Sequence, residues 1–344
     1  MSNLTTPAPA AGTPVLPPLR WGVLGTASIA TRQMIPALAA TAGAALAAVA
    51  SRSRDRAEAV ATRFGFSRVH GSYQDLLDDD AVDAVYIPLP NHLHVPWSIK
   101  ALAAGKHVLC EKPIALNATD LKPLLAAAAA RPDLRVMEAF MYRCQPRWRA
   151  LERLVRDGEI GELGAVSTVF SYFNVDPGNV RNQAAIGGGA LLDIGCYGVS
   201  VSRLLFGAEP AKVSAAIHRD ARFGTDRLTG VLLEFPTGAA TVVCSTQLAG
   251  FQRVTIFGTE GWIEVNQPFN PPADQPTLLV VHRRDGVEER AFAPCNQYVA
   301  QSELFARAVG GGAVPIPLAD SVANVRVLDA VQQSVRFGEA IPNV

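Results

Sequence analysis

The chain has 344 residues, more than one hydrophobic core usually serves, and 49% of them are hydrophobic, so we expect two domains. Lysine plus arginine and aspartate plus glutamate number 31 each, and this balance excludes a field that would draw the protein to nucleic acid or to an anionic membrane. A small molecule is therefore the expected partner.

The N-terminal segment and the cysteines bear on location. Residues 1–18 are rich in Ala, Pro and Thr and lack the basic start and apolar run of a secretory signal. The five cysteines are scattered singly without a C-x-x-C pair, which favours a reducing compartment and no disulfide framework. The sequence contains no uninterrupted run of about 18 apolar residues, so no membrane span is predicted. We expect a cytoplasmic protein whose first segment, 1–19, is a proline-rich arm.

Residues 20–144 alternate short apolar runs with helical patterns. This alternation predicts a doubly wound parallel sheet covered by helices on both faces. The predicted strands are Trp21–Leu24, Leu46–Ser51, Val82–Pro88, His107–Cys110 and Arg135–Met137. The predicted helices are Ser28–Ala40, Arg54–Phe64, His94–Ala104 and Ala118–Ala130, followed by Gln145–Asp157, which leads out of this domain. Pro36 conflicts with the first helix.

The glycine-containing turn Gly22–Ala30 joins the first strand to the first helix. Unpaired N–H groups at a helix start can hold a pyrophosphate, so the expected contacts are Gly25, Thr26, Ala27, Ser28 and Ile29. The match to G-x-G-x-x-G/A is imperfect because Ala27 stands where the second glycine belongs. A plain strand-to-helix turn remains the alternative.

The tip of the second strand indicates the cofactor. An acid there is typical of NAD binding, whereas arginine and small hydroxyls suit the 2′-phosphate of NADP. This chain has Ser51, Arg52, Ser53 and Arg56 at that point, so NADP is the predicted cofactor. A solvated helix start, capped by serine, is the alternative.

Two polar segments follow neighbouring strands and meet at the carboxyl edge of the sheet, where ligands bind. The first contains Leu89, Asn91 and His94, and the second is Glu111-Lys112-Pro113. Lys112 is the candidate for chemistry, and partial desolvation could lower its pKa toward neutrality. We expect Asn91 and His94 to contact ribose or carboxamide, although His94 could simply cap its helix.

No metal site is predicted. His92, His94, Asp75 and the run Asp78–Asp80 lack the spacing of zinc ligands. The acidic run is interpreted as a solvated turn.

Residues 145–320 are dominated by alternating, β-branched segments, which predict an open, mainly antiparallel sheet with helices on one face. The predicted strands are Gly164–Phe173, Lys212–His218, Leu228–Phe235, Ala240–Thr246, Arg253–Phe257, Trp262–Val265 and Leu278–Arg283. Turn sequences 236–238, 258–261 and 284–286 mark hairpins. A last helix near Ser321–Phe337, within a segment 321–344, is expected to pack back on the first domain.

An apolar helix, Ala190–Leu205, interrupts the antiparallel half. Asp193 and Tyr197 lie four residues apart and so on one helix face. A buried carboxylate needs a partner, and an Asp193–Tyr197 hydrogen bond that pins the helix is one interpretation. The other is chemical, because a phenol near a lysine ammonium can exchange a proton with a carbinol oxygen.

Several motifs resemble the glucose–fructose oxidoreductase, inositol dehydrogenase and rhizopine-catabolism family. The resemblance covers nearly all the chain after Leu19 and rests on the Gly22–Ala30 turn, Asn91 with His94, the run Ala104–Pro113, and Asp193–Tyr197. The family implies a Rossmann domain joined to an open antiparallel sheet. Many relatives have histidine where this chain has Tyr197. The tyrosine, together with Glu138–Arg143 and Gly187–Ala190, resembles the family's subgroup that contains glucose–fructose oxidoreductase and dimeric dihydrodiol dehydrogenase.

The resemblance also implies roles for individual residues. Lys112 would polarise the reacting oxygen, Tyr197 would be the acid/base, Asp193 would position the substrate, and Glu111 would contact the nicotinamide ribose. Arg143 would be a further site residue, although a cation at a domain junction is as often structural.

The implied reaction is hydride transfer between C1 of a cyclic aldose and NADP, giving an aldonolactone. If the proline-rich arm traps NADP, a second sugar must reoxidise it. The alternatives are a dissociating sugar or dihydrodiol dehydrogenase and a non-catalytic nucleotide sensor. Apolar residues on both parities of the sheet strands, as in Val231–Phe235, predict a homodimer through the open sheet.

Overall fold

The computed structural model describes residues 17–342. Only the last three residues of the predicted N-terminal arm fall inside this range, so that prediction lies outside the described residues.

The first domain is a parallel sheet of the Rossmann type. Within residues 17–342 it has six strands in the order β3-β2-β1-β4-β5-β6, and every paired neighbour is parallel. These strands are β1 (Leu19–Leu24), β2 (Ala44–Ala50), β3 (Arg68–His70), β4 (Ala84–Ile87), β5 (His107–Cys110) and β6 (Val136–Glu138). The order reverses between β1 and β4, and ligands bind at such a point, beyond the carboxyl ends of the strands.

Helices connect these strands. They are α1 (Ile35–Ala40), α2 (Arg54–Phe64), α3 (Tyr73–Leu77), α4 (His94–Ala103) and α5 (Ala118–Ala129), followed by α6 (Pro146–Arg156). A π-helical segment, Ala30–Met34, precedes α1, and Pro36 lies in the first turn of α1. The helix predicted over Ser28–Ala40 is thus continuous, and it takes the π pattern in the turn before Pro36, which has no N–H to donate.

The second domain is an open, mainly antiparallel sheet. In the described part of the chain it has nine strands in the order β14-β13-β12-β11-β7-β10-β9-β8-β15, and β7 and β10 form its parallel pair. The strands are β7 (Leu163–Phe173), β8 (Lys212–Arg219), β9 (Asp226–Phe235), β10 (Gly238–Ser245), β11 (Gln247–Gly258), β12 (Gly261–Asn266), β13 (Thr277–Arg283), β14 (Gly286–Phe292) and β15 (Ile341–Pro342). All three predicted hairpin turns are present.

One face of this sheet is covered by a π segment, Leu191–Gly195, that continues into α7 (Cys196–Phe206). A Cβ on Gly198 would meet Val242 Cγ1 at 2.5 Å, so the glycine lets α7 lie close on the sheet. The helical stretch 184–206 is long and apolar enough to cross a membrane, but 78% of its most apolar window is buried inside the fold. That burial is typical of a core helix.

Two further helices, α8 (Gln297–Val309) and α9 (Leu318–Phe337), complete the second half. Helix α9 contacts α5 and β6 of the first domain as well as α7 and β8 of the second. The sequence did not predict β3, β14, β15, α3 or α8. Three of them are very short, and β14 alternates weakly because it is largely charged, so their formation depends on pairing and packing with neighbours.

The acidic run Asp78–Asp80 differs from the predicted solvated turn. Asp79 is buried, and its carboxylate accepts hydrogen bonds from Arg68 at 2.9 Å and from the Ala81 N–H at 2.8 Å. His70 Nε2 is 3.0 Å from the same carboxylate. Asp79 therefore ties β3 to the turn before β4.

Candidate active site

A cleft of about 940 Å³ lies beyond the carboxyl edge of the parallel sheet and reaches the second domain. Ten of the predicted site residues line it: Ala27, Ser28, Ile29, Leu89, Asn91, His94, Glu111, Lys112, Asp193 and Tyr197. The others do not: Gly25, Thr26, Ser51, Arg52, Ser53, Arg56 and Arg143. The fold thus brings the predicted cofactor turn and the predicted chemical residues to one cavity.

The turn after β1 has the shape of a phosphate cradle. Gly25 has φ 115°, a conformation that favours glycine, and its N–H donates to the Ala50 carbonyl at 2.8 Å. A Cβ there would lie 3.2 Å from Leu89 Cδ2. Ala27 and Ser28 follow and face the cleft, so the alanine at the second glycine position leaves the cleft open. These residues fit a dinucleotide.

The tip of β2 lies beside this turn. Arg52 and Arg56 are exposed, and Ser53 occupies the N-cap position of α2 without capping it. Its own N–H donates to Ser51 Oγ at 3.3 Å. The uncapped hydroxyl disfavours the interpretation of this segment as an ordinary capped helix start.

Tyr73 lies between the Gly25 turn and Arg52 at the tip of β2. The sequence analysis did not identify it. A Cβ on Gly25 would lie 3.7 Å from the Tyr73 hydroxyl. Burial raises the pKa of Tyr73, opposed by the neighbouring Arg52 guanidinium. Nothing in the local pattern singled out Tyr73, because it lies in a five-residue helix between strands.

Lys112 extends from the end of β5 across to the second domain. Its Nζ donates to the Asp193 carbonyl at 2.6 Å and to Asp193 Oδ1 at 3.2 Å, and it lies 5.1 Å from the centroid of the Tyr197 ring. Burial lowers the pKa of Lys112, but Asp193, Cys196 and Glu111 together outweigh burial and raise the pKa above its usual value. The expectation that this pKa falls toward neutrality was wrong, and Lys112 stays an ammonium.

Asp193 accepts from three side chains. Oδ1 takes Lys112, while Oδ2 accepts from the Tyr172 hydroxyl at 2.6 Å and from Arg181 Nε at 2.8 Å. Burial alone would raise the pKa of Asp193, but Lys112 and Arg181 hold it well below the usual range. The carboxylate is therefore ionised and already engaged by protein groups, so Asp193 holds Lys112 in place.

The predicted alternative of an Asp193–Tyr197 hydrogen bond is not what the structure has. The Tyr197 hydroxyl donates to Met141 Sδ at 3.4 Å, a weak acceptor. The ring packs edge-on against Phe140 and Phe170, and burial raises the Tyr197 pKa well above its usual value. Tyr197 is thus a neutral phenol on the wall of the cleft.

Glu111 also faces the cleft. Its Oε1 accepts from the buried Tyr86 hydroxyl at 2.7 Å. Burial raises the Glu111 pKa, opposed by the neighbouring Lys112 ammonium.

Asn91 and His94 tie the cleft together. The Asn91 amide donates to the Gly187 carbonyl at 2.8 Å, which links the first domain to the second. His94 Nδ1 and Nε2 lie 2.7 Å from the carbonyls of Pro113 and Leu89. Burial lowers the pKa of His94 to about 4. The polar atoms of His94 therefore hold the two edge segments together.

Arg143 lies apart from the cleft. Its guanidinium pairs with Asp320 at the start of α9, and Arg203 pairs with the same carboxylate at 3.2 Å. The structure thus gives Arg143 the structural position that the sequence left open, and it does not support a contact with cofactor.

The second domain supplies further lining residues that the sequence did not reveal. They are Ser171, Tyr172, Asn174, Arg181, Gln252, Asn270 and Tyr298. Most of these residues lie at strand ends or in loops far apart in the chain, and no spacing relates them. The loops 174–186 and 268–276 both contribute residues to this lining.

Replacing Asp193 by asparagine should lower the free energy of unfolding by about 3 kcal/mol at pH 7, because it leaves the cations of Lys112 and Arg181 with a weakened partner. The folded-state pKa of Asp193 is depressed, so its stabilisation is full above the unfolded-state value of about 3.9 and falls as the pH drops below it. Urea denaturation of both proteins between pH 7 and pH 3 measures this. An unchanged difference across that range would contradict the assignment.

Family models match both halves of the chain. Residues 19–140 match the GFO/IDH/MocA model described as an oxidoreductase family with an NAD-binding Rossmann fold, and residues 148–264 match the GFO/IDH/MocA C-terminal domain. These ranges together cover most of the chain and both parts of the fold.

Similar proteins are sugar oxidoreductases. D-xylose 1-dehydrogenase (NADP(+)) 2 of Haloferax volcanii is 37% identical over 94% of this chain and 99% of its own. KijD10, a 3-ketoreductase of Actinomadura kijaniata solved with NADP and TDP-benzene, is 34% identical with a TM-score of 0.86, covering 92% of this chain and 98% of its own.

A third similar protein is the aldose-aldose oxidoreductase of Caulobacter crescentus. Its crystal structure is 29% identical with a TM-score of 0.87, covering 94% of this chain and 99% of that one. The family models and the relatives agree on the family to which this chain belongs. The chain belongs to the GFO/IDH/MocA family and is an NADP-dependent oxidoreductase.

Proposed function

We propose that the protein oxidises C1 of a cyclic aldose to an aldonolactone and that the NADPH so formed is reoxidised on the enzyme by a second sugar, which is reduced to an alditol. The observation that carries this proposal is the placement of Lys112 and Tyr197 together in one cleft with the Gly25 turn. NADP, when bound, supplies the hydride acceptor and donor. The aldose-aldose oxidoreductase relative supports exchange between two sugars.

Lys112 is the proposed electrophile. Asp193, braced by Tyr172 and Arg181, holds the ammonium at the cleft wall. A fixed positive charge in a partly desolvated site stabilises the negative charge that develops on the reacting oxygen.

Tyr197 is the proposed proton donor and acceptor. As a neutral phenol it donates its proton to the oxygen of the carbonyl that is being reduced and becomes a phenolate. In the oxidation of the other sugar the phenolate takes the carbinol proton and returns to the neutral phenol, so the two half-reactions together leave Tyr197 unchanged. Its weak bond to Met141 is easily exchanged for one to substrate.

The dinucleotide would lie along the Gly25 turn. Residues Gly25, Thr26, Ala27, Ser28 and Ile29 are the proposed pyrophosphate contacts. The proposed nicotinamide-side contacts are Leu89, Asn91, His94, Glu111 and Lys112. Both ring nitrogens of His94 and the amide nitrogen of Asn91 already contact protein carbonyls, so the Oδ1 acceptor is the polar atom that Asn91 would offer to the cofactor.

An absorbance spectrum of extensively dialysed protein, with glucose or xylose but no added cofactor, tests trapped NADP. A nicotinamide band near roughly 340 nm that fades with a second sugar would support sugar–sugar exchange. A band only after NADP is supplied would identify a dissociating dehydrogenase, as the D-xylose 1-dehydrogenase relative suggests. No band under any condition would favour a non-catalytic NADP-binding regulator.

Arg52 is the proposed reader of the 2′-phosphate, with Ser51, Ser53 and Arg56 around it. Arg52→Gln should weaken NADP binding about 10- to 100-fold and leave NAD binding unchanged, because only NADP has the phosphate that a guanidinium pairs with. Calorimetric titration with each nucleotide measures this. Arg63→Gln, at the other end of α2, is the matched control. Equal losses for both nucleotides would refute the assignment.

A homodimer through the outer face of the nine-stranded sheet is also proposed. This face is defined by six exposed side chains on successive strands: Leu232, Val243, Phe257, Trp262, Leu278 and Val287. They alternate with core residues, so they share the uncovered face, and a second copy would bury them. Phe257→Lys should shift light-scattering mass from dimer to monomer. A wild-type monomer would contradict the proposal.

The remaining proposals concern organisation. We place domain boundaries at 20–144, 145–320 and 321–344, with 1–19 as an arm, and we propose a cytoplasmic location on the basis of the free cysteines at positions 110, 144, 196, 244 and 295.

A further inference from the structure

The guanidinium of Arg181 is hydrogen-bonded within the protein at Nε, and its other two nitrogens, Nη1 and Nη2, form what we call its free edge. Nε donates to Asp193 Oδ2 at 2.8 Å. Among residues 17–342, neither Nη1 nor Nη2 makes a hydrogen bond or ion pair, and the side chain is 43% exposed on the cleft wall. Two nitrogens of a planar fork, with four N–H donors, therefore remain on a side chain that lines the cavity.

The free edge lies next to the proposed reaction centre. Arg181 and Lys112 bind opposite oxygens of one carboxylate, Asp193. If Lys112 takes the oxygen on the reacting carbon, the Arg181 fork lies within reach of an oxygen on the adjoining carbon. In a cyclic aldose oxidised at C1, the hydroxyl on the adjoining carbon is O2.

The charges of the cleft favour a neutral ligand group at this fork. Lys112 and Arg181 face two carboxyl groups, Glu111 and Asp193. Arg32, the other arginine of the described cleft lining, lies in the helical segment after the Gly25 turn, on the cofactor side. The second domain otherwise adds neutral amides and hydroxyls to the lining, among them Ser171, Asn174, Gln252 and Asn270.

We propose that Arg181 is a specificity-determining residue that binds the 2-hydroxyl of the sugar through its free guanidinium edge, so that the enzyme selects aldoses with a hydroxyl next to the reacting carbon. This inference rests on the proposed oxidation at C1. A site built to bind a hydroxyl rejects an analogue that lacks it, because the donors of the site then lose their partner.

The test compares kcat/KM for D-glucose with 2-deoxy-D-glucose, and for D-xylose with 2-deoxy-D-xylose. The wild type should prefer the 2-hydroxy sugar by about 100-fold. In Arg181→Met the preference should fall below about 5-fold, because the fork is gone. Arg181→Lys, which keeps the charge but has no planar fork, should also lose most of it.

Tyr172→Phe is the matched control, because it removes another donor to the same Asp193 oxygen. If Arg181 only braced Asp193, both substitutions would lower activity on both sugars of a pair equally and leave the preference intact, which would overturn the inference. If the wild-type enzyme had a higher kcat/KM for a 2-hydroxy acid than for either sugar of a pair, that result would also overturn the inference. Failure of the wild type to oxidise any aldose would instead refute the proposed function.

Discussion

Lys112→Met is expected to lower kcat by about 10³-fold, because it removes the fixed positive charge next to the reacting oxygen. NADP should still bind, because the proposed pyrophosphate contacts are unchanged, and the free energy of unfolding should fall by less than in Asp193→Asn, because Asp193 retains its bonds from Tyr172 and Arg181. Steady-state kinetics with the preferred sugar, together with calorimetric titration of NADP, separates these effects.

Lys122→Met is the matched control for that experiment. Lys122 is an exposed residue of α5 outside the cleft, so its loss should leave kcat and NADP affinity at wild-type values. Undiminished turnover in Lys112→Met would remove the proposed mechanism. A loss confined to NADP affinity would instead make Lys112 a cofactor ligand without a chemical role.

Tyr197→Phe should lower kcat by about 10²- to 10⁴-fold, the usual contribution of a positioned proton donor. The ring and its packing against Phe140, Phe170 and Phe269 are retained. The hydroxyl donates to Met141 Sδ, so the free energy of unfolding should be almost unchanged. Kinetics and urea denaturation on one preparation measure both quantities.

Tyr142→Phe is the control from the same aromatic cluster. Its hydroxyl lies 2.7 Å from Ser200 Oγ, away from the cleft, so the substitution should cost about 1 kcal/mol of stability with little loss of kcat. If Tyr197→Phe kept full activity while Tyr172→Phe lost it, the proton donor would be Tyr172, the phenol bonded to Asp193.

Local patterns predicted the elements that have strong periodicity. Helix α2 and strand β5 match their predicted bounds, and the hairpins at 236–238, 258–261 and 284–286 form where turn residues require them. The succession of strands and helices indicated a parallel sheet, and its carboxyl edge predicted that the segments around Asn91 and Lys112 meet. These inferences depend on interactions between residues near one another in the chain.

Contacts between distant segments decided the rest. The pKa of Lys112 depends on Asp193, 81 positions later, and that pairing reversed the expected direction of its shift. Arg143 forms an ion pair with Asp320, 177 positions later, and does not line the cleft.

The sequence by itself determined the class of fold, the cofactor and the lysine and tyrosine proposed for the chemistry, because glycine turns, strand tips and helix spacing are local properties. Only the tertiary structure decided what Asp193 binds and brought Tyr172 and Arg181 to it. Three donors converge on that carboxylate from β5, β7 and the loop before Leu191. A buried charge selects its partners by proximity in the folded chain, which no sequence spacing encodes.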